Sequence, residues 1–312
     1  MNLRRLKYFV KIVDIGSLTQ AAEILHIAQP ALSQQLATLE GECRQQLLVR
    51  TKRGVTPTEA GSTLYRHAQI ILRQVEQAQN DVKKSGQALS GNVSVGLSPG
   101  TAASALSLPL LQTVRARHPG ILLYINENFG TTLSELIMNG RMDMAVLYGD
   151  KSFHGLSYKP LLKEDLYLVA PTCLHLQGKE IPLAQLQDIE LLLPRPYNYV
   201  RKYVNEAFMG AQMVPRVVAE IESAATLSAA IGAGLGATIL PVSAARVIAS
   251  SGNATLQRIV NPVILAPLSL CESDHLPLSE PARAVKDILL ELVDDLARDS
   301  GLAERQEPIE QL

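Results

Sequence analysis

The sequence predicts an α/β chain in which three short helices and a basic hairpin lead through one long helix into a larger α/β region. Three patterns support this prediction: helix-periodic segments within the first 58 residues, an apolar stripe at spacings of three and four after them, and then apolar runs that alternate with helical stretches. With 312 residues, of which 47% are hydrophobic and 19% charged, the chain is long enough for two or three domains. This composition excludes an intrinsically disordered chain.

The first two helices are predicted from a buried face and a capping pattern. Leu6 and Phe9 recur at the spacing of one apolar helix face, and Gly16 ends the segment. Ser17 and Gln20 are spaced as a capping box, in which the serine hydroxyl accepts a hydrogen bond from the first unpaired N–H groups of the next helix. The two segments are therefore expected to pack as a helix pair.

The third helix has the features of a recognition helix. Pro30 lies in its first turn, where a proline loses no hydrogen bond. Its buried stripe consists of Leu32, Leu36 and Leu39. The opposite face carries Gln29, Ser33 and Gln34, whose amide and hydroxyl groups can reach base edges and phosphates. We therefore predict that Gln29, Pro30, Ser33 and Gln34 contact DNA.

A basic hairpin follows this helix. Residues 47–50 and 55–56 are predicted as strands around the turn 51–54, so that together they form a wing. Residues 1–58 contain eight Lys/Arg and four Asp/Glu, whereas the whole chain has a net charge of −1. Because this basic segment offers few aromatic side chains for base stacking, double-stranded DNA is the expected partner. The residues expected to bind its phosphates are Arg50, Thr51 and Arg53.

Two stretches of this segment resemble the winged helix-turn-helix of LysR-type transcriptional regulators. They are FVKIVDIGSLTQAAEILHIAQPALSQQLATLE at residues 9–40 and LLVRTKRGVTPTEAG at residues 47–61. The resemblance implies a regulator that binds promoter DNA and acts with RNA polymerase as an activator or a repressor. The family pattern usually has arginine where this chain has Gln34, and glutamine pairs best with adenine. We therefore expect a preference for A·T at the base pair that Gln34 meets.

A long helix is predicted next. Thr56 and Glu59 are spaced as a second capping box, with Pro57 at the first helical position. The helix then carries a stripe with coiled-coil spacing, made of Leu64, Ala68, Ile71, Val75, Ala78 and Val82. Such a stripe can also pack on its own domain. The resemblance favours dimerisation, because the family uses this helix to dimerise, and it implies a homodimer or homotetramer on an interrupted palindrome.

The remainder of the chain is predicted as α/β structure with largely parallel strands. The apolar runs that predict strands are Val93–Leu97, Ile121–Ile125, Met144–Leu147, Leu166–Val169, Glu190–Leu193, Val217–Ile221 and Thr238–Leu240. The resemblance implies two periplasmic-binding-protein-like lobes with an effector cleft between them. The predicted divisions are a DNA-binding domain at 1–58, a linker helix and hinge at 59–90, and a regulatory domain at 91–312, with lobe I at 91–162 and 267–298 and lobe II at 163–266.

Candidate effector-binding residues follow the strands or lie in the opposite lobe. Ser98, Gly100 and Thr101 come directly after the first strand of the regulatory domain and open a helix, so they can hold a carboxylate or another anion. A plain turn with a helix cap is the alternative. The other candidates are Thr131, Tyr148, Tyr199 and Arg201, of which Arg201 can supply a counter-charge. A further alternative is that no small effector is needed and that the amount of protein governs activity.

The sequence contains no pattern typical of catalysis or of metal binding. Cys43, Cys173 and Cys271 are isolated, the six histidines lack metal-ligand spacing, and no G-x-S-x-G or H-E-x-x-H motif occurs. We therefore expect no enzyme activity, no cofactor and no metal. The uncharged segment Ala224–Ala245 is rich in alanine and glycine and contains Pro241, so we predict a buried helix-turn-strand there and not a membrane span. We also expect a cytoplasmic protein.

Among LysR-type regulators, those that control nitrogen assimilation are especially similar to this chain in the first sixty residues. The resemblance therefore implies control of nitrogen-assimilation genes at an A·T-rich interrupted dyad. One alternative is a LysR-type regulator that responds to a small molecule of another metabolic pathway. Catalysis by the α/β region is the other alternative.

Overall fold

The chain, in a computed structural model, forms two compact units. The first consists of Met1–Gln87 with Asn139–Arg141, and the second of Ala88–Met138 with Met142–Leu312. The structure describes residues 1–51, 54–83, 89–98, 103–149, 155–250 and 253–299. No helix within these ranges has the length and apolar character needed to cross a membrane.

Three helices form the body of the first unit. They are α1 (Leu3–Ile15), α2 (Leu18–Ile24) and α3 (Gln29–Cys43). Asn2 caps α1 by accepting a hydrogen bond from the Arg5 amide at 2.9 Å, and Gly16 ends the helix in the left-handed conformation with φ 70°. The Ser17 hydroxyl accepts from the Gln20 amide at 3.4 Å, so the predicted cap of α2 is confirmed.

An apolar core joins these helices. Phe9 and Ile12 of α1 are buried, and so is the predicted stripe of α3, which consists of Leu32, Leu36 and Leu39. Fully burying a side chain of this size stabilises the fold by about 1.5–3 kcal/mol. Glu40 adds a polar contact near the end of α3, because its carboxylate accepts from the backbone N–H groups of Leu47 and Leu48 at 2.8 and 3.2 Å.

The predicted hairpin is present as β1 (Leu48–Thr51) and β2 (Gly54–Pro57), which pair antiparallel. The Val55 N–H donates to the Gly16 carbonyl at 2.8 Å and so attaches the hairpin to the turn between α1 and α2. A Cβ atom on Gly54 would lie 2.5 Å from that same carbonyl oxygen, and Gly54 has φ 125°. The close approach and the positive φ both require glycine at this position.

The long helix α4 (Glu59–Lys83) begins two residues later than the sequence predicts. Pro57 belongs to β2, and the Thr58 hydroxyl caps α4 by accepting from the Gly61 N–H at 2.9 Å. The expected capping box at Thr56, with proline at the first helical position, is therefore wrong. Pairing in the hairpin explains the difference, because it keeps both residues in extended backbone.

The second unit is an α/β structure with a mixed sheet. Its strands are β3 (Ser90–Leu97), β4 (Gly120–Glu127), β5 (Met144–Tyr148), β6 (Leu156–Pro171), β7 (Glu180–Pro182), β8 (Leu191–Leu193), β9 (Val217–Glu220), β10 (Thr238–Pro241), β11 (Ala254–Val260) and β12 (Leu265–Ser273). Its helices are α5 (Ala103–Arg117), α6 (Gly130–Met138), α7 (Tyr199–Gly210), α8 (Ala224–Gly232), α9 (Val242–Ala249) and α10 (Glu280–Asp299). Each of the predicted strand segments overlaps one of these strands.

The strand order is β4-β3-β5-β12-β6-β11-β7, and β10 also pairs with β6. As expected, β3 is parallel to β4 and β5. However, β6 and β12 are antiparallel to each other, β12 is antiparallel to β5, and β6 is antiparallel to β10 and β11, so the expectation of largely parallel strands is wrong here. The reason is that β6 pairs with β12 along its first part and with β10 and β11 along its second part, which makes it a long connection between two parts of the sheet.

The predicted lobe boundaries fall within this antiparallel pair. Leu162 lies opposite Leu268, and Glu164 lies opposite Ala266. With this division, lobe I contains β3–β5 with α5, α6 and α10, and lobe II contains β7–β11 with α7–α9. The two lobes share β6 and β12. The residue at which each domain or lobe begins stays a prediction.

Candidate nucleic-acid interface and interlobe cleft

The predicted DNA-reading residues lie together in the first part of α3. Pro30 and Gln34 are exposed, whereas Gln29 and Ser33 are half-buried. The Gln34 carbonyl accepts from the Thr38 hydroxyl at 2.9 Å, but no described residue bonds to the Gln34 side-chain amide. Because the opposite face of α3 is buried in the core, this amide belongs to the face that a partner can reach.

Helix α3 begins without a side-chain cap, a feature that sequence reasoning missed. Its N-cap residue is Ala28, which has no oxygen on its side chain. The first turn of a helix carries N–H groups without intrahelical partners and a partial positive charge, so an uncapped start favours a bound anion. The uncapped start could have been predicted from the alanine that comes immediately before Gln29 and Pro30.

The hairpin contacts α3 directly through Arg50. Its Nη2 atom donates to the Ser33 Oγ atom at 2.9 Å, which joins a wing residue to a residue predicted to read bases. Thr51 closes the hairpin, because its hydroxyl donates to the Gly54 carbonyl at 3.2 Å. Phosphate binding by Arg50 and Thr51 stays a prediction, and Arg53 lies outside the described residues.

The predicted dimerisation stripe of α4 divides into a covered part and an exposed part. Leu64 packs against the core of the first unit, and Ala68 is fully buried within the single chain. The stripe becomes more exposed towards the end of α4, through Ile71, Val75, Ala78 and finally Val82, which is 82% exposed. Packing on its own unit therefore explains the beginning of the stripe, whereas its end can contact a second chain.

A small cavity in the second unit brings together four of the predicted effector-binding residues. They are Ser98, Thr131, Tyr148 and Tyr199. The lining residues that sequence reasoning missed are Phe129, Gly130, Tyr197, Asn198 and Val200. Because lobe I and lobe II both contribute, the cavity lies in the interlobe cleft. Gly100 and Thr101 lie outside the described residues.

The Tyr199 ring lies in this cleft. A Cβ atom on Gly149 would lie 3.1 Å from Tyr199 Cε1, and one on Gly130 would lie 3.6 Å from Cε2, so the ring packs directly on both glycines. Phe129 and Tyr197 make an edge-to-face contact across the cleft, with ring centroids 5.7 Å apart and planes at 79°. The space that remains for water centres is about 10 Å³, which is roughly what one water molecule needs.

Tyr148 connects this cavity to a buried carboxyl group. Its hydroxyl donates to Glu164 Oε2, and Glu164 Oε1 accepts from the Ser243 N–H at 3.0 Å. Glu164 is fully buried, and burial raises the pKa of its carboxyl group, while the two hydrogen bonds act in the opposite direction. Since Tyr148 belongs to lobe I and Ser243 to lobe II, this carboxyl group bonds to both lobes.

Arg201 does not line the cavity, although it is only two residues from Tyr199. Its Nε donates to Asn205 Oδ1 at 2.8 Å, and its Nη1 donates to the Pro194 carbonyl at 2.9 Å. Residues two apart on a helix point about 200° apart, so α7 cannot present both side chains to the cleft. Burial lowers the pKa of the Arg201 guanidinium, and the structure gives this side chain bonds within lobe II in place of the expected counter-charge role.

Two protein-family models match the chain. The model described as "Bacterial regulatory helix-turn-helix protein, lysR family" matches residues 3–62, which hold α1–α3, the hairpin and the start of α4. The model described as "LysR substrate binding domain" matches residues 86–294, which hold β3–β12 and most of α10. The two matches follow the two compact units.

Two relatives with the same printed name match almost the whole chain. The "Nitrogen assimilation regulatory protein nac" of Klebsiella aerogenes is 57% identical over 293 residues, which is 94% of this chain and 95% of the relative. The protein of that name from Escherichia coli (strain K12) is 53% identical with the same coverage. A solved structure of a full-length OxyR variant from Pseudomonas aeruginosa has a TM-score of 0.73 at 24% identity and 94% coverage of both chains, a likeness that concerns the fold alone.

Proposed function

Because the chain belongs to the LysR family of DNA-binding transcriptional regulators, we propose that it controls nitrogen-assimilation genes from an A·T-rich interrupted dyad. The nitrogen role is supported by identities of 57% and 53% to two nitrogen assimilation regulatory proteins over 94% of the chain. An alternative within the family is a response to a small molecule of another metabolic pathway.

The proposed recognition of DNA bases rests on the exposed side-chain amide of Gln34, on the face of α3 that a partner can reach. We assign this amide to a base pair in the major groove, where glutamine forms two hydrogen bonds with adenine. Gln29, Pro30 and Ser33 lie on the same part of α3, and Arg50 extends the surface towards the hairpin. Arg50, Thr51 and Arg53 are assigned to phosphates, which set the register of α3 on the duplex.

Two chains are needed to read an interrupted dyad. The exposed end of the α4 stripe, from Ile71 to Val82, supplies an apolar surface that a second copy of α4 can cover. A twofold-symmetric dimer places two copies of α3 on one face of the DNA, about one helical turn or more apart. We therefore assign α4 to the dimer.

Lobe I offers a further apolar surface for a tetramer. Strand β4 lies at the edge of the sheet order, and its Leu122 and Tyr124 are 70% and 58% exposed. Leu108 and Leu111 of the adjacent α5 are exposed as well. Exposed large apolar side chains on neighbouring elements are candidates for protein contacts. Sedimentation velocity of the full chain distinguishes a dimer from a tetramer.

The small space left in the interlobe cleft favours regulation without a small molecule bound between the lobes. The Tyr199 ring and the Phe129–Tyr197 contact leave room for about one water molecule, whereas small-molecule pockets are usually about 300 Å³ or larger. We infer that the lobes of this chain are held together by its own aromatic side chains. The amount of protein would then set its activity, in place of an effector in the cleft.

The remaining partners follow from this role. A promoter-bound activator or repressor contacts RNA polymerase, and a protein that binds the chromosome works in the cytoplasm. No group of three or more His, Cys, Asp or Glu residues in the described part of the chain is arranged to hold a metal ion. We assign the second unit to regulation and not to catalysis, as its family match suggests.

Genome-wide occupancy of the tagged protein in its own host tests the proposal. We expect peaks that share an A·T-rich interrupted dyad and that are gained near nitrogen-source genes when nitrogen is scarce. Peaks that do not respond to nitrogen would contradict the nitrogen role but retain specific DNA binding. The absence of specific peaks would contradict the assignment of α3 as the reading helix.

A further inference from the structure

Three consecutive polar residues of α3, Ser33, Gln34 and Gln35, point in three different directions. Gln34 lies two residues from both Leu32 and Leu36, and residues two apart on a helix point about 200° apart. Both leucines are buried in the core of the first unit, so Gln34 points away from that core. Ser33 and Gln35 lie about 100° to either side of Gln34. They therefore form the two flanks of the surface that α3 presents to a partner, and both are half-buried.

Each flank of α3 is bonded to an arginine from a different element. On one flank, Arg50 Nη2 of the hairpin donates to Ser33 Oγ at 2.9 Å. On the other flank, Arg5 Nε of α1 donates to Gln35 Oε1 at 3.0 Å. The two bonded pairs are 17 and 30 positions apart in sequence, so neither bond is local. The wing and α1 therefore hold α3 from its two sides.

Glu42, near the end of α3, keeps the Arg5 guanidinium in this position. Arg5 Nη1 donates to Glu42 Oε1 at 2.8 Å, and Glu42 Oε2 pairs with the Met1 amino group at 3.0 Å. Arg5 is half-buried, and its charge is already paired with a carboxylate. A contribution of Arg5 to DNA binding would therefore act through Gln35 and not through its own bond to a phosphate.

The bond from Arg5 fixes the orientation of the Gln35 amide. A guanidinium has only donors, so the amide must present its oxygen to Arg5 and its NH₂ group elsewhere. No residue in the described part of the chain accepts a hydrogen bond from Gln35 Nε2. Gln35 therefore offers a partner an N–H donor, while its oxygen is occupied by Arg5.

An N–H donor on the flank of a recognition helix suits a phosphate. A helix in the major groove faces the base edges with its centre, and the phosphates that border the groove lie beside its flanks. Phosphate oxygens only accept hydrogen bonds. A glutamine that reads adenine uses its amide oxygen as well as its NH₂ group, and the oxygen of Gln35 is already bonded.

We propose that Gln35 donates a hydrogen bond to a DNA phosphate on the flank of α3 away from the wing, and that Arg5 is the positioning residue that orients its amide. Phosphates would then hold α3 in the groove from both sides, while Gln34 meets a base pair between them. This inference rests on the proposed function, because it requires α3 to lie in the major groove.

Fluorescence anisotropy of the full chain with two duplexes tests the phosphate contact. One duplex carries the sequence that the wild type selects from randomised DNA, and the other has the same length and an unrelated sequence. Gln35→Glu keeps an oxygen for Arg5 but replaces the NH₂ group with a second oxygen. We expect it to bind both duplexes about tenfold more weakly, because a hydrogen bond to a charged group is lost and phosphates carry no sequence information.

Gln45→Glu is the matched control for the added charge. Gln45 is exposed and lies beyond the end of α3. The control should bind both duplexes within about twofold of the wild type, because salt screens a more distant charge. Urea unfolding of each variant shows separately whether the fold is retained.

The positioning role of Arg5 is tested with Arg5→Met. This change is combined with Glu42→Gln, so that no unpaired carboxylate remains beside α3. The combined variant should weaken binding to both duplexes, but it should cause no further loss when Gln35→Ala is also present, since Arg5 acts through that amide. The slope of log affinity against log salt should stay unchanged, whereas loss of a direct phosphate contact would lower it by about 1.

Four results would overturn the proposal. They are wild-type affinity of Gln35→Glu, an equal loss in Gln45→Glu, a loss on Arg5→Met with Glu42→Gln that is the same with and without Gln35→Ala, and a loss by Gln35→Glu that is confined to the selected duplex. The last result would mean that Gln35 reads a base. If the wild type selects no sequence at all, the proposed function fails instead, and the unrelated duplex still tests the phosphate contact.

Discussion

Arg50 in the wing donates a hydrogen bond to Ser33 in the recognition helix, with 2.9 Å between Nη2 and Oγ. The two residues are 17 positions apart in sequence, and both belong to the set predicted to contact DNA. This bond holds the guanidinium beside α3, so that the wing and the helix form one polar surface.

The first prediction is that Arg50 and Ser33 act together in DNA binding. Arg50→Ala and Ser33→Ala should each weaken binding, and the double variant should lose less than the sum, with a coupling of about 1 kcal/mol. Arg50→Ala should also lower the slope of log affinity against log salt by about 1, because one phosphate contact is lost. Fluorescence anisotropy titrations at several salt concentrations measure both quantities. Strictly additive losses would show that the bond has no role on DNA.

Base selection is expected to depend on Gln34. Gln34→Ala should reduce the preference for A·T at one base pair of each half-site by about 1–3 kcal/mol, and Gln34→Arg should move it towards G·C. Selection from a randomised half-site measures this preference. Gln45→Ala is the control, because Gln45 is exposed and lies beyond the end of α3. If Gln34→Ala leaves the selected sequence unchanged, Gln34 does not read bases.

Ala28 allows stability and DNA binding to be changed in opposite directions. Ala28→Asp should stabilise the protein by about 1 kcal/mol, because an N-cap oxygen then accepts from the first turn of α3. The same carboxylate should weaken DNA binding by about 1 kcal/mol, since it repels the phosphate expected at this helix end. Ala28→Ser adds the cap without the charge and should lose less affinity. Urea unfolding measures the change in stability, and fluorescence anisotropy measures the change in DNA affinity. If Ala28→Asp binds DNA with full affinity, no phosphate lies at the start of α3.

Replacing two glycines of the first unit with alanine should change the stability of the protein in opposite directions. A Cβ atom on Gly61 would lie 1.9 Å from the Leu47 carbonyl oxygen, so Gly61→Ala must displace backbone and should destabilise by about 1–3 kcal/mol. Gly41 in α3 has no neighbouring atom within 4 Å of such a Cβ. Gly41→Ala should therefore stabilise by about 0.5–1 kcal/mol. Urea denaturation of both variants measures the difference, and a loss of stability on Gly41→Ala would contradict the reasoning.

Local patterns in the sequence predicted much of the fold and part of the cleft. The Ser17 cap depends on neighbouring residues alone, so it could be derived directly. Ser98 and Tyr148 were found because they lie at the carboxyl ends of β3 and β5, and parallel strands bring those ends to the same edge of the sheet. That argument uses only the position of each residue at the end of its strand, so the number of residues between Ser98 and Tyr148 does not affect it.

The features that were missed depend on tertiary contacts. The Phe129–Tyr197 pair joins two loops that have no shared spacing pattern. Glu164 lies in β6, whose antiparallel pairing with β12 is set by the crossing between lobes and not by a local motif. Arg201 follows Tyr199 in sequence, but the helical turn directs it to Asn205. Strand-end reasoning therefore locates a cleft without showing what fills it.

The buried carboxyl group of Glu164 predicts how stability depends on pH. Its pKa is raised in the folded protein, mainly by burial, so the folded state binds this proton more tightly than the unfolded state does. Stability contributed by this group is therefore highest below the pKa of an unfolded glutamate, about 4.3, and falls as the pH rises through the folded-state pKa. Glu164→Gln has no such proton, and its amide can still bond to Tyr148 and Ser243. We expect the variant to gain stability relative to the wild type as the pH increases over this range.

Urea unfolding of the wild type and of Glu164→Gln from acid to neutral pH measures that difference. Glu272→Gln is the matched control, because Glu272 is also a glutamate of the second unit but its Oε2 atom is paired with Lys286 Nζ. The control removes the ion pair with Lys286 and leaves the Tyr148–Glu164–Ser243 connection intact. If the difference in the free energy of unfolding between the wild type and Glu164→Gln does not change with pH, the carboxyl group has the same pKa in the folded and the unfolded state. The Tyr148–Glu164–Ser243 connection would then be held by an ionised carboxylate, and burial would not be the dominant influence on its pKa.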